Sequence, residues 1–252
     1  MKHLRHLVLL CFAAAFAAAA TAPAAVATVP ADPQEAFSAG VAAYEKNDFA
    51  QARQLFAAVE KKSVSPALEF NFGNACYQAG DYSGAILHYL RALAMDPRDP
   101  DAQQNLALAR KGANLTAPDS TRLDRFSGLL SQDAWTWVAT VSGWVTLYLL
   151  FLPRLFRWRG TLPWLLCLTT LGVSVAAGIG WWGAHQHAND GVVLVADTPV
   201  KLSPTTNSPS LAMLQPGEIA QVLDRHGDYY KVLTGTGQLG WVASANYAPV
   251  RE

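Results

Sequence analysis

Charge is sparse in this chain and it cancels. Charged side chains make up only 15% of the 252 residues, with 19 Lys and Arg against 19 Asp and Glu. No cationic surplus is available to neutralise phosphates, so no nucleic-acid partner is expected. Cysteine is scarce as well. Cys11, Cys76 and Cys167 are the three present, with no C-x-x-C spacing, which leaves no redox pair and no cysteine-based zinc site and makes a structural disulfide unexpected. The serines, histidines and acids are scattered without a nucleophile, base and orienter arrangement. An enzyme is therefore not expected, nor is a cofactor. His185, His187 and Asp190 offer imidazole and carboxylate groups close together, but no fourth ligand stands nearby. They read as a solvated polar stretch, and no metal is expected.

What the chain has in place of charge is apolar length. Ala134 to Leu152 and Gly160 to His185 contain no Asp, Glu, Lys or Arg, and the short loop between them carries Arg154, Arg157 and Arg159 and no acid. A helix needs about 20 apolar residues to cross the hydrocarbon core, so residues 134–152 and 161–184 read as two transmembrane helices. Arginines in the 153–160 loop favour keeping it cytoplasmic. Both flanking modules then lie across the membrane, which for a bacterial inner membrane is the periplasm. Trp135, Trp137, Trp144, Trp181 and Trp182 supply candidates for the outer headgroup belt, and Trp158 and Trp164 for the inner one. Gly143, Gly172, Gly178 and Gly180 could let the spans pack closely on each other or on a partner span, packing within the hairpin being the simpler account. Ahead of this, Lys2, His3, Arg5 and His6 precede the apolar run Leu7 to Ala20. Residues 1–27 read as a secretory signal peptide, with A-x-A sites after Ala20 and after Ala27, and an uncleaved N-terminal anchor as the alternative.

Self-comparison at a shift of 33 residues aligns Gly40 with Gly73, Tyr44 with Tyr77, Asp48 with Asp81, Ala52 with Ala85 and Phe56 with Tyr89. The second copy, Asn71 to Pro97, resembles the tetratricopeptide (TPR) repeat throughout. Its small residues Gly73, Ala85 and Ala92 allow two antiparallel helices to approach, Phe72, Tyr82 and Tyr89 fill the space between them, and Pro97 stops the second helix. DAQQNLALARK after Pro100 suits a capping helix, so residues 33–111 form a TPR pair with a cap. Such arrays present a concave face to peptides or partner helices. Candidate groove residues by repeat position are Asn71, Asn74 and Gln78, with Asn105 and Arg110 on the cap. Residues 112–133 read as a linker ending in a short interfacial helix with Leu123, Phe126, Leu129 and Leu130.

From Gly191 to Glu252 the pattern changes to short alternating strands with Gly and Pro punctuation, which implies a small all-β barrel. It resembles the bacterial SH3-like domain: Val192 to Val195 opens the barrel, Leu214, Gly217 and Val222 make the central hairpin, Tyr230 and Val232 hold the W-x-K-V-like strand, and Gly240, Trp241 and Val242 form the GWV signature, expected in the core. LSPTTNSPS departs from the R-S-G-P-S of many such domains. Tyr229 is the best candidate for an exposed ligand contact.

The fold class expected is thus a multidomain membrane protein with α-helical TPR hairpins, two transmembrane helices and a small all-β SH3-like barrel. In this order the modules resemble the TPR proteins of the Bat (Bacteroides aerotolerance) operon family, BatE type. That resemblance implies a membrane-bound assembly protein of the periplasm, working beside membrane proteins with von Willebrand A domains and linked to oxygen tolerance or envelope stress. It supplies no catalytic motif. A non-enzymatic scaffold is the leading reading, and a cell-wall sensor whose barrel binds peptidoglycan is the alternative.

Overall fold

The computed structural model describes residues 30–116, 121–155, 161–187 and 189–251. The signal-peptide reading of residues 1–27 lies outside the described residues, as does most of the arginine loop.

Among the described residues five helices come first: α1 Pro33–Glu45, α2 Phe49–Glu60, α3 Pro66–Gln78, α4 Tyr82–Met95 and α5 Pro100–Gly112. The sequence punctuates each one. Asp32, Ser65 and Asp99 cap α1, α3 and α5 from the preceding residue and a proline follows at the first turn, where its missing N–H costs nothing. Asp48 and Asp81 cap α2 and α4, accepting from the amides of Gln51 and Gly84 at 3.0 and 2.9 Å. The residues that turn the chain between helices, Asn47, Gly80 and Asn114, all take left-handed backbone (φ 60, 78 and 57°), the conformation that ends helices with least strain in Gly and Asn. Packing repeats as well. A Cβ at Gly40 would sit 2.6 Å from the Phe56 ring, and one at Gly73 would sit 2.7 Å from the Tyr89 ring, so the aligned glycines exist to admit the aligned aromatics.

Helix α6 (Arg122–Ser127) is closed by a reciprocal cap between Thr121 and Asp124. It leads to α7 (Gln132–Leu155) and α8 (Leu162–Gln186), which pack together as an antiparallel pair. Both are long and apolar enough to cross a membrane, and only 6% and 11% of their apolar windows is buried, unlike the core helix of a soluble domain. Hydroxyls join them: Thr146 Oγ1 donates to Thr170 Oγ1 at 2.9 Å and Ser174 Oγ to Ser142 Oγ at 2.9 Å. The glycines divide. Gly180 lies against the Trp135 indole and Gly183 against Ser127 and Leu123, whereas Gly143, Gly172 and Gly178 face open space. Of these glycines only Gly180 serves the close packing of the hairpin, while Gly183 admits α6 against α8.

The remaining residues form β1 Asp190–Val193, β2 Thr198–Lys201, β3 Ser210–Leu214, β4 Ile219–His226, β5 Tyr229–Thr234, β6 Leu239–Ala243 and β7 Tyr247–Pro249. They make one antiparallel sheet in the order β3-β2-β6-β5-β4-β1-β7. Two expectations change here. The sheet is open, with β3 and β7 as its edges, and is not a closed barrel. Nor do Leu214, Gly217 and Val222 make a hairpin: β3 pairs with β2, while Val222 on β4 pairs with Val232 on β5. A turn follows β3, as the Pro216-Gly217 pair requires, but it carries the chain to the far side of the sheet. Gly217, at φ +89°, is pressed against α4, and a Cβ there would meet Ile86 and Leu115 at 2.8 Å.

That contact belongs to a wider interface. Val192 is fully buried within the helical core, and Leu194, Ile219, Ala248 and Val250 pack against the same cluster. Ser83 Oγ donates to the Leu194 carbonyl at 3.2 Å, Arg91 to that of Pro249 at 3.0 Å and Arg251 to that of Ala94 at 2.9 Å. The sheet domain is thus docked on α4.

Candidate functional site

With α4 covered, the open side of the helical array is the one built from the first helix of each unit. There Tyr44, Asn74, Tyr77, Gln78, Tyr89, Asn105 and Leu108 line a solvent-open cleft of about 260 Å³. Asn74, Gln78 and Asn105, placed in the groove by repeat position, come together in it. Asn71 does not: its amide donates to the Ala67 carbonyl one turn back at 2.8 Å. Arg110 lies elsewhere too, beside Leu115, Glu218 and Thr234 in a second cleft between α5 and the sheet domain, and burial lowers its pKa. Tyr44 and Tyr77, read from the sequence only as aligned packing positions, belong to the cleft wall.

The chemistry of the cleft is set by a short network. Asn74 Oδ1 accepts from Tyr89 Oη at 2.7 Å and from Asn105 Nδ2 at 3.0 Å. Asn74 then shows its NH₂ and Asn105 its carbonyl oxygen, so one donor and one acceptor stand side by side. Turning both amides over exchanges the two but keeps one of each. This is the complement of a peptide group. Burial raises the pKa of Tyr89, so the phenol stays protonated and the network neutral. Among the described residues no Lys, Arg, Asp or Glu lines the cleft, and none of its lining side chains would hold a terminal carboxylate or a phosphate by charge.

Behind α4 lies a charged cluster that the sequence did not disclose. Glu69 is fully buried, and its Oε2 lies 2.7 Å from His88 Nδ1, while Arg91 pairs with Glu60. Phe72 stacks on the His88 ring at 3.7 Å between centroids. Because Arg91 also grips β7, the cluster ties the repeat pair to the sheet domain.

Where the helix pair meets the modules, His187 bridges Asp124 of α6 (3.1 Å from Nε2) and Asp190 of β1 (2.9 Å from Nδ1). Carboxylates only accept, so both ring nitrogens carry protons and the imidazole is held as the cation. The hydrogen bond to Asp190 leads in raising its pKa to about 9, against the opposing effect of burial. For Asp124 burial acts upward, but the Thr121 and His187 hydrogen bonds outweigh it and the pKa is lowered. The stretch expected to be merely solvated is a clasp. Gln221 Nε2 adds a bond to the Gln186 carbonyl at 2.8 Å, and Arg251 pairs with Gln132. Both modules therefore sit at the same end of the helix pair.

On the sheet, β-strand alternation separates the GWV residues. Gly240 and Val242 are buried, whereas Trp241 turns to the outer face in register with Lys201 and Lys231. Tyr229 lies on that face opposite His226 and Ala243, with Lys201 Nζ 6.0 Å from its ring centroid. Trp241, expected in the core, is thus an exposed-face neighbour of Tyr229, a consequence of the two-residue strand period.

Comparison with known families agrees with the two modules. Residues 73–112 match the TPR repeat and residues 197–247 the bacterial SH3 domain. The comparison with curated proteins returns no match. Modules of these two kinds point to protein–protein or cell-wall interaction.

Proposed function

We propose that the chain is a non-enzymatic scaffold anchored in the bacterial inner membrane by α7 and α8, with both modules in the periplasm, and that its TPR cleft takes an extended segment of a membrane protein partner. The observation that carries this reading is the Asn74–Asn105 pair, which offers one donor and one acceptor in a cleft walled by tyrosines and free of charge. A neutral main-chain segment satisfies both groups; a charged terminus does not. In line with the Bat-like module order, the partners are envelope proteins with von Willebrand A domains and the setting is oxygen tolerance or envelope stress.

The test is to crosslink cells, recover the tagged chain and compare it with Asn74→Leu/Asn105→Leu. Loss of specific membrane partners from the double variant supports the reading; an unchanged partner set refutes it. The outer face of the sheet favours a second reading, a cell-wall sensor, because Tyr229 and Trp241 give aromatic surface flanked by Lys201 and Lys231. Retention of peptidoglycan that is lost in Tyr229→Ala/Trp241→Ala, with no partner dependent on Asn74, would put that reading first.

A further inference from the structure

Arg110, in the last turn of α5, lines the second cleft, a space of about 220 Å³ that the docked sheet domain closes against the helices. Stretches far apart in the chain meet there: the end of β3, the start of β4 and the β5–β6 turn. The guanidinium is half-buried and has no hydrogen bond or ion pair among the described residues. Burial alone lowers its pKa, with no acid opposing it. The dipole of α5 attracts a cation anywhere in the last turn, and the exposed Lys111 meets that demand from solvent. It does not explain a guanidinium in a cleft, where desolvation without a partner is costly. A second donor lies on the facing turn. Thr234 Oγ1 accepts from the Gln238 amide at 3.1 Å and lies 2.9 Å from Thr236 Oγ1. One hydroxyl proton makes the bond between the threonines, whichever donates, so the other is left for a third partner. Glu218 is the one acid lining the cleft among the described residues, and it makes no ion pair with Arg110. Donors for an anion and an acceptor for an N–H thus stand apart in one space, with Leu115, Leu214 and Ile219 as its apolar wall. A Cβ at Gly235 would meet nothing within 4 Å, so the turn leaves the mouth open.

We propose that this cleft binds the C-terminal residue of a peptide whose last side chain is apolar. The terminal carboxylate pairs with the fork of Arg110, whose planar donors match its two oxygens, and accepts the remaining threonine proton. The N–H of the same residue, two bonds from the carboxylate carbon, donates to Glu218, and the side chain rests on the apolar wall. An inorganic anion would satisfy Arg110 but leave Glu218 facing negative charge. The site is separate from the TPR cleft, which has no cation for a terminus, and stands whether or not that cleft takes a main-chain segment.

Acetyl-Gly-Leu with a free carboxylate is titrated into the full chain in mild detergent, beside the same peptide as its C-terminal amide and beside acetate. The acid should bind about 10- to 100-fold more tightly than the amide, the size of a hydrogen-bonded charge pair, and should slow hydrogen exchange at the β5–β6 turn. Arg110→Gln should remove that preference, and Arg110→Lys, which keeps the charge but not the fork, should retain part of it. Asn74→Leu/Asn105→Leu should leave it whole. Because Arg110 has no partner among the described residues, both Arg110 variants should unfold at the wild-type temperature. No binding of the acid, equal binding of acid and amide, acetate as good as the acid, or a preference that is lost with Asn74 and kept without Arg110 would each overturn the assignment. So would a marked fall in thermal stability of Arg110→Lys, which would make Arg110 a joint between modules and not a binding group.

Discussion

Gly73→Ala is a sharp test of how the repeat pair is held together. In an unencumbered helix the change stabilises by about 1 kcal/mol, since alanine is the better helix former. Here the new methyl would lie 2.7 Å from Cδ1 and Cε1 of Tyr89. The ring has nowhere to go: Tyr89 is 1% exposed, Phe70 lies 6.1 Å away between centroids, and the hydroxyl is tied to Asn74. Overpacking a fixed ring costs about 2 kcal/mol, and straining the bond to Asn74 adds about 1 kcal/mol. Set against the propensity gain, the net loss is about 2 kcal/mol, or about 30-fold in a local opening equilibrium.

Hydrogen exchange of peptides from α3 and α4 reads that equilibrium directly. Exchange in Gly73→Ala should be about 30-fold faster there, with the sheet domain little changed. Tyr89→Leu in the same chain should recover part of the loss, because the smaller side chain leaves room for the methyl; the two changes then couple favourably in a double-mutant cycle. Slower or unchanged exchange in Gly73→Ala would mean that helix propensity outweighs the contact, and the account of the aligned glycines would fail. The same result would also remove the reason for the orientation of Tyr89, and with it the fixed display of Asn74.

Three further perturbations address the joints between modules. His187 has a folded pKa of about 9 against an ordinary value of 6.5, so its contribution is full below pH 6.5 and is lost as pH rises through 9. The side chain is half exposed, which reduces the effect to about 1 kcal/mol; thermal unfolding of wild type and His187→Gln should differ at pH 6 and converge by pH 10. His88→Ala removes the partner of the buried Glu69 carboxylate and should cost about 3–5 kcal/mol by chemical denaturation, most of it recovered in Glu69→Leu/His88→Leu. Gly217→Ala puts a Cβ on left-handed backbone and against Ile86 and Leu115. It should cost about 1–2 kcal/mol, and limited proteolysis should show faster cutting between the sheet domain and α5; an unchanged cutting rate would mean that the turn does not bear on α4.

The features legible in the sequence were those decided within a few residues of themselves. Asp48 and Asp81 announce helix starts by the chemistry of a cap, and Gly40 with Phe56 repeats as Gly73 with Tyr89 because one packing problem is solved twice. The apolar lengths of α7 and α8 likewise need no distant information. Less legible was what depends on a surface far along the chain. Val192 and Leu194 read as the opening of the barrel, yet together with Ile219 and Val250 they pack on the helical cluster around α4, since an apolar side chain does not encode which apolar surface covers it. Pro216-Gly217 signals a turn but not whether the strands on either side of it pair. Trp241 was assigned to the core with its neighbours, although the strand period alone sends it to the face opposite Gly240 and Val242.

The interface on α4 also bears on the cleft. A free TPR pair could present either of its faces, and a flexible linker would let the sheet domain wander; here α4 is occupied by β1 and β7, and the His187, Gln221 and Arg251 contacts fix both modules to the ends of α7 and α8. A segment held by Asn74 and Asn105 would then be held at a set place beside the helix pair. On the proposed scaffold reading, binding so positioned would raise the effective concentration of a partner near the helix pair without demanding a tight cleft. On this account, loosening the joint by His187→Gln should weaken partner recovery from membranes even though His187 lies outside the cleft, whereas a cleft that acts alone would be indifferent to it.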